Sequence, residues 1–145
     1  MCVGKYIKRT TTQTKEIKMD RKELENLIFD TYKIKGDNPF EEDFDTTVFR
    51  HVVSKKWFAL VMNISKNKLG FPSEEKIDVV NFKCAPEVIE SLAGEEPGIY
   101  HAYHMNKMHW LTVALDGSCD SDTVKWLLEI SYDLTMPKKK NKREQ

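Results

Sequence analysis

The sequence predicts an α+β fold, a two-layer sandwich in which an antiparallel sheet is covered on one face by N- and C-terminal helices. Helical periodicity is strong near the two ends of the chain, whereas the middle consists mainly of segments rich in β-branched and aromatic residues. Short gaps join several of these segments, which is typical of antiparallel hairpins. Because two amphipathic helices cover only one face of such a sheet, we expect the other face to be open.

The terminal helices are predicted from capping signals and periodicity. Asp20 and Glu23 have the spacing of a capping box, and apolar residues then recur on one helical face until Gly36 ends the pattern. A last helix is predicted over residues 121–135, since its apolar residues share one face and Pro137 prevents its continuation.

The strands are predicted from composition and turn signals. Their expected ranges are 46–53, 56–65, 76–84, 99–103 and 109–115. A short helix from Pro86 to Leu92 separates the third strand from the fourth. Alternation assigns the following side chains to the core: Phe58, Leu60, Met62, Ile64, Val80, Phe82, Cys84, Leu111, Val113 and Leu115. The set expected on the open face is Trp57, Asn63, Asn81, Lys83, Trp110 and Thr112.

Charge divides the chain into three parts. Residues 1–18 form a leader with a net charge of +4 that we expect to be flexible, and residues 137–145 form a basic tail, also +4. The domain between them, 19–136, therefore carries −8. Since nonspecific nucleic-acid binding depends on cations, any affinity for phosphate must come from a local patch or from the two ends of the chain.

Cysteine usage and hydropathy indicate the compartment. The three cysteines, Cys2, Cys84 and Cys119, are an odd number without paired spacing, which favours a reduced cytoplasmic chain. The longest apolar run, 57–62, is far shorter than the roughly 20 residues that cross a bilayer, and the first residues lack the pattern of a secretory signal. We therefore expect no contact with a membrane.

No catalytic constellation stands out. Cys84 is expected to be buried and inert, and neither a phosphate-binding glycine loop nor a glycine-framed serine occurs. The spacing of His101, His104 and His109 does not place them on one helical face, so we expect no metal and no cofactor. A polar turn that contains His104, Asn106 and Lys107 runs directly into the clearest strand, which favours a binding surface over an active site.

Several blocks of the sequence together resemble the MmcQ/YjbR family. These blocks are 38–51, 56–60, 81–84 with Pro86, 103–107 with His109 and Trp110, and 131–134. The resemblance covers about residues 19–136. It implies a CyaY-like, frataxin-type sandwich. It also implies DNA binding through a double-wing arrangement of hairpins, in which loop 66–73 is the best wing.

Two functions are consistent with these observations. In the first, the protein is a small non-enzymatic DNA-binding protein, in which indoles pack on sugars or unstacked bases and Asn106 bonds polar edges. Its site residues are Arg50, Lys56, Trp57, Lys66, Lys68, Lys83, Asn106, Lys107 and Trp110. In the second, a frataxin-like sheet presents an exposed tryptophan surface to a protein partner, and the acidic domain favours a basic one. The oligomeric state stays open.

Overall fold

The computed structural model describes residues 19–40 and 45–137. The expected leader, residues 41–44 and residues 138–145 of the expected basic tail lie outside the described residues. The elements, in chain order, are α1 (Arg21–Tyr32), β1 (Thr47–Arg50), β2 (Trp57–Ser65), β3 (Lys76–Lys83), α2 (Pro86–Leu92), β4 (Ile99–His101), β5 (Trp110–Ala114) and α3 (Ser121–Leu134). A 3-10 turn over Lys66–Leu69 joins β2 to β3.

The five strands form one antiparallel sheet in the order β1-β2-β3-β5-β4. Helices α1 and α3 pack on one face of this sheet, where Leu24, Ile28, Leu127 and Leu128 join the main hydrophobic core. The expected two-layer α+β sandwich is therefore confirmed. Each helix exposes its polar face to water, as its amphipathic pattern requires.

The capping box predicted for α1 is present, but the helix does not end at the glycine. The Asp20 carboxylate accepts from the Glu23 backbone N–H at 2.9 Å, and the Glu23 side chain accepts from the Asp20 backbone N–H at 3.2 Å. Lys33 takes the left-handed conformation that ends the helix, with φ 60°. Gly36 has a different role, because a Cβ there would overlap the Thr47 methyl group, so it permits close approach to β1.

A bulge in β2 makes the predicted face assignment of that strand wrong. Phe49 pairs with Ala59 and Arg50 pairs with Trp57, so Phe58 is an extra residue on β2. Phe58 and Ala59 both contribute to the core beneath the helices. After the bulge the alternation is inverted, and the residues that lie on the face opposite the helices are Leu60, Met62 and Ile64. By the same inversion, Asn63 lies on the helix side, where it donates to Asp78 at 2.9 Å.

The sheet face opposite the helices is not open along its length. A second apolar cluster lies there, built from Val48, Leu60, Met62, Ile64, Ile77, Val79 and Ala114 and overlaid by partly buried Trp57, Leu69, Tyr100, Tyr103 and Met105. Asn81 and Thr112, expected to be exposed on this face, are completely buried. The loop over residues 102–109 folds back over the sheet and covers them. We call residues 102–109 the covering loop. Its position over the sheet face that was expected to be open is the main difference from the sequence prediction.

Candidate functional site

The predicted site residues divide between two ends of the sheet. One end, which we call the tryptophan end, combines the end of β1, the turn 51–56, the start of β2, the end of β3, the covering loop and the start of β5. Arg50, Lys56, Trp57, Lys83, Asn106, Lys107 and Trp110 lie there. The other end, the hairpin end, contains Lys66 and Lys68 in the turn between β2 and β3. Strand β2 has nine residues, so at about 3.3 Å per residue these ends are roughly 26 Å apart.

The bulge positions Trp57 on the face opposite the helices. Because a bulge interrupts the ladder, backbone groups at this point need other partners. The Ser131 hydroxyl, on α3, donates to the Phe58 carbonyl at 2.6 Å and accepts from the Lys83 backbone N–H at 2.8 Å. A single side chain from the last helix thus satisfies both strands beside the bulge. Ser131 therefore supports the backbone next to Trp57.

Trp110 and Lys83 lie opposite each other in the register of β3 and β5, and both are half-buried. The Trp57 indole is half-buried as well. Neither of these two indoles is sealed in the core, and each keeps part of its ring in water. The third indole, Trp126 on α3, is 47% exposed and lies outside the predicted site.

The covering loop is held to the sheet by a buried hydrogen-bond chain. The Thr112 hydroxyl donates to Asn81 Oδ1 at 2.6 Å and accepts from the Tyr103 backbone N–H at 3.0 Å. The Asn81 amide donates to the Tyr103 carbonyl at 2.9 Å. Both polar groups of the Tyr103 backbone are thus bonded to the sheet, so the residues after it start from a fixed point. Asn81 and Thr112 are anchors of the loop and not ligand contacts.

Asn106 closes the other end of the covering loop. Its side-chain oxygen accepts from the Met108 backbone N–H at 2.8 Å, and its backbone carbonyl accepts from the Trp110 N–H at 3.0 Å. This is the local side-chain to backbone bonding for which asparagine is favoured in turns. The carboxamide oxygen of Asn106 is therefore engaged in the turn, although the residue is exposed.

Between the covering loop and β2 lies a pocket of about 440 Å³. Its lining residues are Phe40, Thr46, Trp57, Leu60, Met62, His104 and Met105. The Phe40 and Trp57 rings meet edge to face with centroids 6.0 Å apart. Of these residues the sequence prediction identified only Trp57 as a site residue. His104 and Phe40 are far from Trp57 in sequence, so only the fold brings them together.

His104 is one of the few residues other than glycine with a left-handed backbone. Its φ is 70°, and its ring lies 3.9 Å from the ring of Tyr103, centroid to centroid. Such conformations persist where the surroundings enforce them, and they cluster at binding sites. Here the bonds at Tyr103 provide that enforcement. The exposed imidazole stands at the mouth of the pocket.

The two ends of the sheet differ in charge. At the tryptophan end, residues 50–57, 83–85 and 101–110 contain five Lys or Arg residues and no carboxylate: Arg50, Lys55, Lys56, Lys83 and Lys107. Asp37 reaches Arg50 from outside these segments, with Oδ2 2.7 Å from Nη2. Among the described residues the four lysines of this group form no ion pair. Glu90 lies in the same shallow groove as Lys107.

The hairpin end is acidic, and its lysines are partly neutralised. Lys66 Nζ lies 3.3 Å from the Glu75 carboxylate. Glu74, Asp78, Asp116 and the two carboxylates that precede β4 lie around this end as well. Lys68 is exposed. The expected wing is therefore a short 3-10 turn in a surface that mixes these carboxylates with Lys66, Lys68 and exposed Lys76.

The described residues show no arrangement for nucleophilic or metal chemistry. Burial raises the pKa of the Cys84 thiol to about 12, so its nucleophilic thiolate is scarce at neutral pH. No three His, Cys, Asp or Glu side chains within residues 19–40 and 45–137 are arranged to hold a metal ion. No helix in these ranges has the length and apolar character needed to cross a membrane.

Comparison with known proteins identifies the family. The chain is 32% identical over 117 residues to the uncharacterised YyaQ protein of Bacillus subtilis, which covers 81% of this chain and 98% of that protein. It is 34% identical over 94 residues to the uncharacterised YjbR protein of Escherichia coli, and the match covers 62% of this chain and 80% of that protein.

Solved structures agree with the sequence relatives. A crystal structure of a Pseudomonas syringae protein superposes with a TM-score of 0.79 at 41% identity, over 81% of this chain and all of that one. A crystal structure of a Deinococcus radiodurans protein superposes with a TM-score of 0.65 at 26% identity, over 86% of this chain and 84% of that one. The family model YjbR matches residues 31–134. The chain therefore belongs to the YjbR family, as its sequence blocks predicted.

Proposed function

We propose that this protein is a non-enzymatic DNA-binding protein that contacts DNA with the tryptophan end of its sheet. The observation that carries the proposal is the coexistence there of two half-exposed indoles, Trp57 and Trp110, with lysines that have no carboxylate partner among the described residues. Indoles stack on bases and sugars, and lysines neutralise phosphates. DNA is the ligand that the family resemblance implies.

The distribution of charge among the described residues weakens the main objection to this proposal. Residues 19–136 are acidic as a whole, with a net charge of −8. Glu74, Glu75 and Asp116 lie around the hairpin end, at the opposite end of β2 from Trp57. Glu90 lies near Lys107 and the α3 carboxylates flank Ser131, while Glu41, Glu42 and Asp43, which follow Phe40 in the sequence, lie outside the described residues. Counterion release depends on the cations that touch phosphate, so local charge decides affinity more than the total does.

The same geometry revises the expected contacts. Lys66 and Lys68 lie at the opposite end of β2 and Lys66 is paired with Glu75, so we assign no phosphate contact to them. Arg50 contributes less than an unpaired cation because Asp37 holds its guanidinium. Exposed Lys56 and Lys107 are the cations that we expect to matter most.

A titration of fluorescently labelled DNA at several salt concentrations tests the proposal. A single-stranded oligonucleotide and a duplex of the same length serve as probes, and anisotropy measures binding. The variant Lys56→Ala/Lys107→Ala should bind more weakly and lose about 1.4 from the slope of log K against log salt for the single strand. The matched variant Lys66→Ala/Lys68→Ala removes the same charge and should behave as wild type. Absence of binding at low salt, or equal effects of the two variants, contradicts the proposal.

A protein partner is the second candidate, favoured by a different observation. The pocket beside Trp57 is lined mainly by apolar side chains, and Phe40 at its rim is 39% exposed, as at many protein contacts. If wild type binds no DNA but recovers one defined protein, and Trp110→Ala loses it, the interaction-module hypothesis replaces the first. The Lys56→Ala/Lys107→Ala variant then keeps the partner.

A cytoplasmic setting is part of the proposal. Cys84 and Cys119 are both buried and free, and burial raises the pKa of Cys119 to about 11 as well. Buried free thiols of this kind fit a reducing compartment, where DNA is also accessible. These thiols act as small apolar core residues, which supports a binding role and not a nucleophilic one.

A further inference from the structure

We infer that the pocket between Phe40, Trp57 and the covering loop takes one unpaired nucleobase, so that the protein prefers single-stranded DNA to duplex. The inference rests on the proposed function and adds the form of DNA that the site accepts. Three observations support it: the shape of the pocket, the charge around the pocket, and the hydrogen bonds that fix the covering loop as one of its walls.

The pocket has the shape and surface that a nucleobase needs. Its volume of about 440 Å³ lies within the range of sites that bind small organic molecules. Two aromatic rings at right angles, Phe40 and Trp57, form one wall, and the sheet residues Leu60 and Met62 form an apolar floor. Any base can place its flat apolar face on such surfaces without hydrogen-bond readout.

Duplex DNA does not present a base in this way. Inside a duplex each base is stacked on both sides and paired along its edge, so a protein that receives a base in a pocket must first extrude it, at a cost of about a few kcal/mol. A single strand avoids this cost. A concave pocket on the sheet face therefore distinguishes the two forms of DNA without any sequence-specific contact.

Charge around the pocket suits the strand on either side of the inserted base. Lys56 directly precedes Trp57, and Arg50 is paired with Trp57 in the register of β1 and β2. Lys83 lies on the same sheet face as the pocket, opposite Trp110. Phosphates flanking a base in the pocket would thus meet Lys56 and Lys83, whereas Arg50 contributes less because Asp37 holds its guanidinium. A neutral apolar ligand would gain nothing from this arrangement.

The pocket wall is fixed before any ligand arrives. The Asn81–Thr112–Tyr103 bonds hold the start of the covering loop and Asn106 holds its end. His104 and Met105, between these points, are therefore placed over the pocket in advance. A preformed wall lowers the ordering entropy lost on binding. The His104 imidazole also offers a ring nitrogen to the polar edge of the base.

The inference is tested with a ten-residue oligothymidylate and a hairpin duplex. The chain offers a matched pair of phenylalanines: Phe40 meets Trp57 edge to face at 6.0 Å and is 39% exposed, while Phe71 meets Tyr100 edge to face at 5.9 Å and is 42% exposed. Phe40→Ala should weaken oligothymidylate binding about tenfold, as expected for loss of part of a stacking surface. Phe71→Ala should change it by less than about twofold, and neither variant should change weak duplex binding.

A second measurement keeps Phe40 in place, so it does not depend on correct folding of the Phe40→Ala variant. In a Trp110→Phe/Trp126→Phe protein, Trp57 is the sole tryptophan, and its fluorescence should be quenched by oligothymidylate but not by the duplex. Equal affinity for the two probes, or an unquenched Trp57 with bound oligothymidylate, overturns the inference. If the inference is overturned in this way but Lys56→Ala/Lys107→Ala still weakens oligothymidylate binding, the proposed DNA-binding function survives without the base pocket. Absence of binding to either probe overturns both.

Discussion

The tryptophan end and the hairpin end of the sheet are built from the same strands and both carry lysines, yet they differ in what those lysines touch. At the hairpin end Lys66 is paired with Glu75 and surrounded by other carboxylates. At the tryptophan end four lysines have no ion pair with a described residue and stand beside two half-buried indoles. Residue type alone therefore does not show which lysines are free to bind a ligand.

Even the aromatic contacts at the two ends are similar in geometry and different in setting. Phe71 packs on Tyr100 over the apolar cluster, whereas Phe40 packs on Trp57 at the edge of a pocket. The difference arises from the covering loop, which reaches only the tryptophan end. The following experiments change one end at a time and are ordered from the largest expected effect to the smallest.

Ser131→Ala should have the largest effect on stability. It leaves the Phe58 carbonyl and the Lys83 N–H, both beside the bulge, without their buried partner. Two unsatisfied backbone groups should lower the free energy of unfolding by about 3 kcal/mol. Urea unfolding measures this, with Ser73→Ala at the hairpin end as the control. The Ser73 hydroxyl accepts an exposed bond from Glu75, so its removal should cost less than about 0.5 kcal/mol. Equal losses would mean that Ser131 does not support the bulge.

Thr112→Val should release the covering loop while keeping the shape of the core. The Asn81 oxygen and the Tyr103 N–H lose their partner, for a loss of about 2 kcal/mol in unfolding free energy. Because His104 and Met105 line the pocket, oligothymidylate binding should fall too. Faster hydrogen exchange of amides 103–108, with unchanged exchange over 66–70, is the expected signature. Uniform exchange across both segments would show that the loop is not anchored there.

His51 should make the tryptophan end sensitive to acid. Burial lowers its pKa below 6.5, which outweighs the opposing hydrogen bond to the Tyr132 backbone. As pH falls, the unfolded chain then binds the proton first, so stability is complete above about pH 6.5 and declines as pH approaches the lower folded pKa. Urea unfolding between pH 7.5 and 5 should show this decline in wild type and a flatter profile in His51→Gln. Profiles of equal slope would exclude His51 as the cause.

Replacing single surface carboxylates with amides should have the smallest effects on stability. Asp37→Asn and Glu75→Gln each remove one surface ion pair, with Arg50 or Lys66, and each should change stability by less than about 1 kcal/mol. Their effects on binding should differ. Freed Arg50 lies beside Trp57, so Asp37→Asn should steepen the salt dependence for oligothymidylate by about 0.7. Glu75→Gln should leave it unchanged, and the opposite result would locate the DNA at the hairpin end.

Local signals predicted most of the fold. The capping box at Asp20 and Glu23, Pro86 at the start of α2 and the apolar period of α3 are encoded within a few residues, so each was recognisable without knowledge of distant contacts. The predicted first strand ran to residue 53, but β1 ends at Arg50, because His51 turns the chain and accepts from Lys55.

The faces of β2 were not predictable from the sequence. Strict alternation grouped Phe58 with Leu60 and Met62, but the bulge separates them, and it is satisfied by a serine more than seventy positions later. Similarly, Asn81 and Thr112 have polar side chains that local reasoning assigns to water. They are buried because each is the other's partner and both bind the backbone of Tyr103.

By itself, the sequence determined the elements, their layers and the residue types available for binding, since caps, turns and periodicity act over distances of a few residues. The tertiary structure decided which of the nine predicted site residues share a surface and which carboxylates neutralise Arg50 and Lys66. It also created the pocket, which needs Phe40, Trp57 and His104 from three separate segments. Contacts of this kind depend on the register of the strands and on the course of the covering loop, and no short segment of the sequence determines either.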